Sequence, residues 1–358
     1  MGKKPIIPFL LLLIFPSLTL AQRPRSVEEL MASVKGLSPE KRQAWIVEGA
    51  KKERQVVWYT PSSPTIVKEI ITTFNQRYPF IEIEYYRAKA RDVTEKFLTE
   101  ARAGRYAADL IRTAAFLFSP LIEAGLIGEY QSLARESIPP QFQGKLWTGV
   151  DISPRVLGWN TKLVTPSQLP VRWDDLLPPR WKGKILMDSF SDDEIMTLMA
   201  VWGKDRAKEY FKKLSAQDIT FRRGRTLLVQ LVAAGEAPIA ATVLPNEVEG
   251  LRAKGAPIDW APLDHTPAHV GFISMTKHPP HPYAAALFYD FLLSVEGQRD
   301  QAETGRTVTN PKVKSKVPRI DALKNSPGLF LLTPDNIKKE WVKDALAILD
   351  GVLLKGKN

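Results

Sequence analysis

Ser62 with Ser63, Ser189 with Ser191, Arg223 with Arg225, and Asn246 with Glu247 share one context: each pair stands at the mouth of a run with helical apolar spacing. A helix start leaves backbone N–H groups unpaired and carries the positive end of the macrodipole, so such loops can seat a carboxylate or phosphate. Arginine adds a guanidinium fork that grips the same oxyanions. Arg112, followed by Thr113, ends a short apolar stretch and is a further candidate for that work. A second reading stands beside each. Ser, Thr and Asn are ordinary N-caps, and Ser191 with Glu194 fits a capping box. Arg222, Arg223 and Arg225 fit a solvated basic turn, and Arg112 fits an ion pair that stabilises its loop. Asp192 and Glu247 are the acids placed to accept an amine from a zwitterionic ligand.

Other chemistries find little support. The chain has no cysteine, which removes disulfides, thiolate nucleophiles and Cys-based metal sites. It contains no Gly-x-Ser-x-Gly elbow, no His-Glu-x-x-His and no Gly-x-x-x-x-Gly-Lys phosphate cradle. Asp174-Asp175 and Asp192-Asp193 are sequence neighbours whose side chains are expected to diverge. His265 and His269 have the spacing of metal ligands on one helical turn, but Pro267 between them predicts an extended segment. His278 and His281 flank Pro279-Pro280 in a stretch that reads as a surface loop and receives no role. The reading is of a binding protein, not an enzyme, with no cofactor.

The elements that would hold these loops alternate between strand and helix from Gln55 onward. Strand-like residues 56–59 precede an apolar helical stripe of Ile66, Val67, Ile70, Ile71 and Phe74. Residues 81–86 alternate with period two, and helices are expected over 93–103 and 116–123 around a short strand at 109–112. Further on, helices are predicted over 193–202, 205–214, 226–234, 246–253 and 283–293, with strands at 184–187, 239–242, 258–260 and 271–275. Alternation of this kind predicts parallel or mixed sheets flanked by helices. Ahead of it, Ser26 with Glu29 suggests a capping box, and Ser38 with Pro39 starts a second helix, so residues 22–54 read as a helical extension.

Residues 158–187 carry the most specific pattern. Asn160-Thr161, Leu163-Val164, Pro166, Trp173, Asp175-Leu176-Leu177, Pro179 and Trp181-Lys182-Gly183-Lys184-Ile185 follow one another between two apolar strands. This order resembles the extracellular solute-binding proteins of ABC importers, in particular the ferric-binding-protein-like group. Residues 108–110, 121–126 and 294–298 are similar to other elements of the group, so the resemblance spans about residues 55–312. It implies an α/β, bilobed periplasmic-binding-protein type II fold, two αβ lobes with mixed sheets joined by crossing hinge strands. Residues 55–152 with 268–312 would form lobe 1, and 153–267 with 313–358 lobe 2. The cleft between them would hold one small ligand, touched from lobe 1 by Ser62, Ser63, Arg112 and Thr113 and from lobe 2 by Ser189, Ser191, Arg223, Arg225, Asn246 and Glu247. Iron-binding members place a tyrosine pair after the strand corresponding to 239–242. Here that loop reads Val243-Leu244-Pro245-Asn246-Glu247, so an anionic or zwitterionic solute (a phosphonate, sugar phosphate or carboxylate) is expected ahead of ferric iron or an iron chelate.

Composition agrees with export and a small ligand. Hydrophobic residues make up 44% and charged residues 25%, the balance of an ordinary globular chain. Lys3 and Lys4, the apolar run 6–14 and Thr19-Leu20-Ala21 read as a signal peptide over 1–21, which predicts a soluble periplasmic product. A net charge of +11 admits nucleic acid in principle. Export argues against that partner, and the dispersed basic residues suit attraction of small anions. The expected partners are ABC permease and ATPase subunits, with the chain a monomer. A sensor that regulates a membrane partner through the same fold is the competing class.

Overall fold

The computed structural model describes residues 25–303 and 305–353. The expected signal peptide lies outside the described residues. Thirteen strands, β1 (Gln55–Thr60), β2 (Glu82–Arg87), β3 (Leu110–Ile111), β4 (Ile127–Gly128), β5 (Thr148–Pro154), β6 (Val156–Asn160), β7 (Ile185–Asp188), β8 (Thr220–Arg222), β9 (Ile239–Val243), β10 (Ile258–Ala261), β11 (Thr266–Thr276), β12 (Thr307–Val308) and β13 (Leu329–Leu332), build two mixed sheets. The first runs β12-β5-β11-β3-β1-β2, with β4 and β13 also on β11; the second runs β10-β6-β9-β7-β8.

The apolar periodicity read from the sequence is what these elements bury. Ile66, Val67, Ile70 and Phe74 are the buried stripe of helix Pro64–Arg77, which brings Phe74 onto Phe288 of helix Pro282–Leu293 at 5.0 Å between ring centroids. In the second sheet every residue of β6, β7 and β9 is buried. Strands covered on both faces lose the alternation that a half-exposed strand shows. The 158–187 segment folds as strand, short 3-10 turns and strand. Its Trp173 is buried, donates Nε1–H to the His265 carbonyl at 2.7 Å and takes the Tyr210 hydroxyl on its own carbonyl at 2.8 Å. That pattern is therefore structural.

Among the described residues, two connections run directly from a strand of one sheet to a strand of the other. β5 continues into β6 across Arg155, and the chain after β10 returns into β11. Arg155 N donates to the Pro267 carbonyl at 2.7 Å, tying the two crossings together. Pro267 lies inside β11, which is longer than the 271–275 strand expected from sequence. The proline stands just beyond the Ala268–Pro154 end of the β5–β11 register, where its carbonyl still accepts from Arg155 N and the ladder loses one donor. The expected helix 116–123 is instead a 3-10 turn, Ala115–Leu117, followed by Ser119–Glu123, since Pro120 cannot donate to a preceding turn.

The N-terminal helices Val27–Ser33 and Pro39–Glu53 pack outside the first sheet against Pro282–Leu293. Ser26 caps the first by accepting from Glu29 N at 3.2 Å, but Glu29 returns its carboxylate to Arg25 N and not to Ser26, so the box is half formed. His281 is not in a free surface loop. Its N–H and Nδ1 meet Asp109 at 2.5 and 2.9 Å, and the same fully buried carboxylate accepts from Val57 N, tying β1 to the start of helix Pro282–Leu293.

Candidate functional site

A cavity of about 360 Å³ opens where the two sheets face each other, near the lower end of the ~300–1,000 Å³ that small-molecule sites occupy. From the first-sheet side it is lined by Ser63, Thr65 and Ile66 at the start of helix Pro64–Arg77, and by Arg306 and Thr307 at β12. Ile152, Ser153 and Pro154 of β5 form its floor, and Leu244, Asn246 and Glu247 at the start of helix Pro245–Arg252 close it from the second sheet. The walls nearly touch at one point. Gly305 has φ +85, and a Cβ there would stand 3.4 Å from Asn246 Cβ.

Behind each wall lies a buried ion-pair cluster. On the first-sheet side Asp151, 1% exposed, is shared by two arginines: Arg112 Nη2 at 2.6 Å on Oδ1 and Arg306 Nη1 at 2.8 Å on Oδ2. Burial opposes ionisation, but the two guanidiniums overcome it and hold the Asp151 carboxyl down at about 2. Gly271 makes this arrangement possible. A Cβ on it would fall 1.8 Å from Asp151 Oδ1 and 2.4 Å from Arg112 Nη2, and β11 breaks register against β5 at that residue.

On the second-sheet side the acids are in excess. Arg225 Nη2 meets Glu194 Oε1 at 2.9 Å and Nη1 meets Asp188 Oδ2 at 3.4 Å, while Arg155 Nη2 meets Asp193 Oδ2 at 3.2 Å. Burial would lower the Arg225 pKa, but Glu194, Asp193 and Asp188 raise it. Asp192, with burial and the charges of Asp193 and Glu194 against it, is pushed up to about 7. Burial also raises Glu247, whose Oε1 accepts the Thr226 hydroxyl at 2.9 Å.

The sequence matches the bacterial extracellular solute-binding protein family over residues 69–330. The chain belongs to that family. No curated protein matches by sequence. Among solved structures, iron-bound HitA from Pseudomonas aeruginosa superposes with a TM-score of 0.69 at 19% identity, over 83% of this chain and 99% of that one. The periplasmic binding protein AfuA from Actinobacillus pleuropneumoniae, with fructose-6-phosphate bound, gives 0.62 at 24% identity over 83% and 97%. A substrate-binding protein of an ABC transporter from Agrobacterium tumefaciens gives 0.67 at 15% over 84% and 94%. At these identities the likeness is one of fold, the bilobed type II periplasmic-binding-protein architecture, in which the two sheets are the cores of the two lobes. The family is one of transport binding proteins, and no described helix is long and apolar enough to cross a membrane.

Within this solute-binding fold, three of the residues expected from sequence line the cavity: Ser63, Asn246 and Glu247. The other seven lie off it. Ser62 and Thr60 satisfy each other, with the Thr60 hydroxyl 3.0 Å from Ser62 Oγ. Thr113 Oγ1 lies 2.7 Å from Thr94 Oγ1. Arg112 and Arg225 are held by carboxylates, and Arg223 is exposed with its guanidinium 5.1 Å from the Phe190 ring. Ser189 N donates to the Arg222 carbonyl at 3.0 Å. Ser191 forms no capping box: its hydroxyl donates to the Asp188 carbonyl at 2.7 Å, and Glu194 binds Arg225 instead of the Ser191 backbone. Sequence reasoning missed Thr65, Ser153, Arg306, Thr307 and the anchoring Asp151. A left-handed glycine next to an arginine, Gly305-Arg306, was the one local signal for that loop.

Proposed function

We propose that this protein is the ligand-capturing receptor of an ABC importer, closing its lobes over one small anionic or zwitterionic solute such as a phosphonate, sugar phosphate or carboxylate. The observation that carries this reading is the cavity lined from both lobes by hydroxyls, an amide, a guanidinium and a carboxylate. A ligand that bridges both walls favours the closed form by its differential affinity for the two arrangements. Arg306 holds the acid group with the N–H donors that Asp151 leaves free, and Ser63, Thr65, Asn246 and Thr307 supply neutral hydrogen bonds around it. Ferric iron suits this cavity less well: no tyrosine is among the described lining residues, and hard Fe(III) prefers several anionic oxygens. In this reading residues 1–21 are removed on export, the lobes divide at the two crossings, and the monomer delivers its solute to permease and ATPase subunits.

The test is a thermal-shift panel on protein refolded to strip carried ligand, with phosphonates, sugar phosphates, carboxylates, amino acids, neutral sugars and ferric citrate. Ligand at ~1,000 times its Kd adds about 4 kcal/mol, a shift of several degrees. A selective shift by one acidic class, lost in Arg306→Met, supports the reading. A shift with ferric citrate alone, or no shift with any solute, overturns it.

A further inference from the structure

We infer that the solute this cleft selects carries a protonated amine as well as an acid group, the acid facing Arg306 and the amine facing Glu247. The inference rests on the receptor reading above and narrows it to zwitterions. Its ground is the unequal charge of the two walls. On the lobe 1 side Arg112 and Arg306 share the single carboxylate of Asp151, which leaves one positive charge in excess, and of the two only Arg306 lines the cavity. On the lobe 2 side the two arginines are already engaged: Arg225 by Glu194 and Asp188, Arg155 by Asp193. Glu247 is thus a fourth carboxylate beside two cations, with Asp192 adding a further acid nearby.

Glu247 is also left incomplete. Oε1 takes the Thr226 hydroxyl, whereas Oε2 is shut off from solvent and has no protein partner. A buried carboxylate oxygen without a donor carries a desolvation cost, which a ligand ammonium removes once the half-buried Glu247 side chain turns that oxygen into the cavity. A purely anionic solute in the same 360 Å³ would meet Arg306 at one end and the repulsion of Glu247 at the other, which an ammonium on the solute converts to attraction. Burial raises the Glu247 carboxyl, and the Thr226 hydroxyl and the charges of Arg225 and Arg155 offset only part of that rise.

The experiment compares matched probes by calorimetry on the refolded full-length protein: amino carboxylates and aminoalkyl phosphonates of two to five carbons, each beside the analogue with methyl in place of ammonium. Neutral sugars and ferric citrate complete the set. The amino member of at least one pair is expected to bind about tenfold or more tightly than its methyl analogue, the scale of a charge-assisted hydrogen bond. Glu247→Gln, which retains an acceptor for Thr226, is expected to erase that ratio while leaving the methyl analogue's affinity unchanged or improved. Arg306→Met weakens both members, and Arg306→Lys restores part of the loss. Equal affinity within every pair, or a ratio that survives Glu247→Gln, overturns the zwitterion inference and leaves the acid-binding receptor standing. Binding of neutral sugars or ferric citrate alone overturns both, as does silence from every probe.

Discussion

The two ion-pair clusters behind the cleft are built from the same residue types and behave oppositely. In lobe 1 two arginines converge on Asp151; in lobe 2 Arg155 and Arg225 are outnumbered by Asp188, Asp193 and Glu194, with Asp192 and Glu247 close by. The first cluster keeps its carboxylate ionised to about 2, while the second pushes Asp192 up to about 7. A wall with surplus cation is fixed in charge over the physiological range. A wall with surplus carboxylate can take up a proton, so its charge depends on solution conditions and on what occupies the cleft.

The sharpest way to break this contrast is Asp151→Asn. It leaves Arg112, 7% exposed, beside Arg306 with no counter-charge, and a loss of about 3–5 kcal/mol in urea unfolding is expected, with little change between pH 5 and 8. A loss under 1 kcal/mol would show that the triad is not the anchor of that wall. Arg225→Met strips the partner from Glu194 and Asp188, which are 0% and 3% exposed. Because the acid-rich wall can bind a proton in response, a smaller loss of about 2–3 kcal/mol is expected, larger at pH 8 than at pH 5. A pH-independent loss would contradict the proposed softness of that wall.

The pH dependence follows from the signs. Asp192 is raised in the folded protein above its ordinary 3.8, so between about pH 4 and 7 the folded state holds a proton that the unfolded chain has released, and stability falls as pH rises through that window. Asp290, pushed up to about 6, acts in the same direction, whereas His269, lowered by burial, acts against it. Asp192→Asn is therefore expected to flatten the Tm decline between pH 5 and 7.5 relative to the parent; an identical slope would remove Asp192 from the account. Asp151 has the opposite sign: its depressed pKa gives stability that is present above about pH 4 and lost as pH falls toward 2. The smallest effect belongs to Arg223→Ala. Its guanidinium is exposed over Phe190, and a change within ~0.5 kcal/mol is expected, with solute affinity untouched.

The fold was largely legible because its information is local. The stripe Ile66, Val67, Ile70 and Phe74 and the apolar runs of β6, β7 and β9 specify element type without knowledge of partners. The cleft loops were legible as helix starts for the same reason, and Ser63, Asn246 and Glu247 do reach the cavity. What sequence could not supply was which arginine remains available. Arg112 finds Asp151 39 residues away and Arg306 finds the same carboxylate from 155 residues away, so no spacing rule links them. Arg225 has the composition of an anion clamp and the surroundings of a structural cation, and only the tertiary approach of Glu194 and Asp188 decides between them. His281 misled for a like reason: its neighbours Pro279 and Pro280 describe a loop, but its partner Asp109 lies in another part of the chain.

The bare Cα of Gly271 gives the receptor an inherited constraint. A methyl group there would occupy the space of Asp151 Oδ1 and crowd Arg112 Nη2, so a side chain at 271 obliges both of those groups to move. A lineage that acquires a side chain at 271 displaces the acid at 151, and so weakens the pairing of arginine at 112 and the support for arginine at 306. The four positions should therefore change together across descendants of this chain, and a change of the whole set would mark a receptor that has moved to a different cargo.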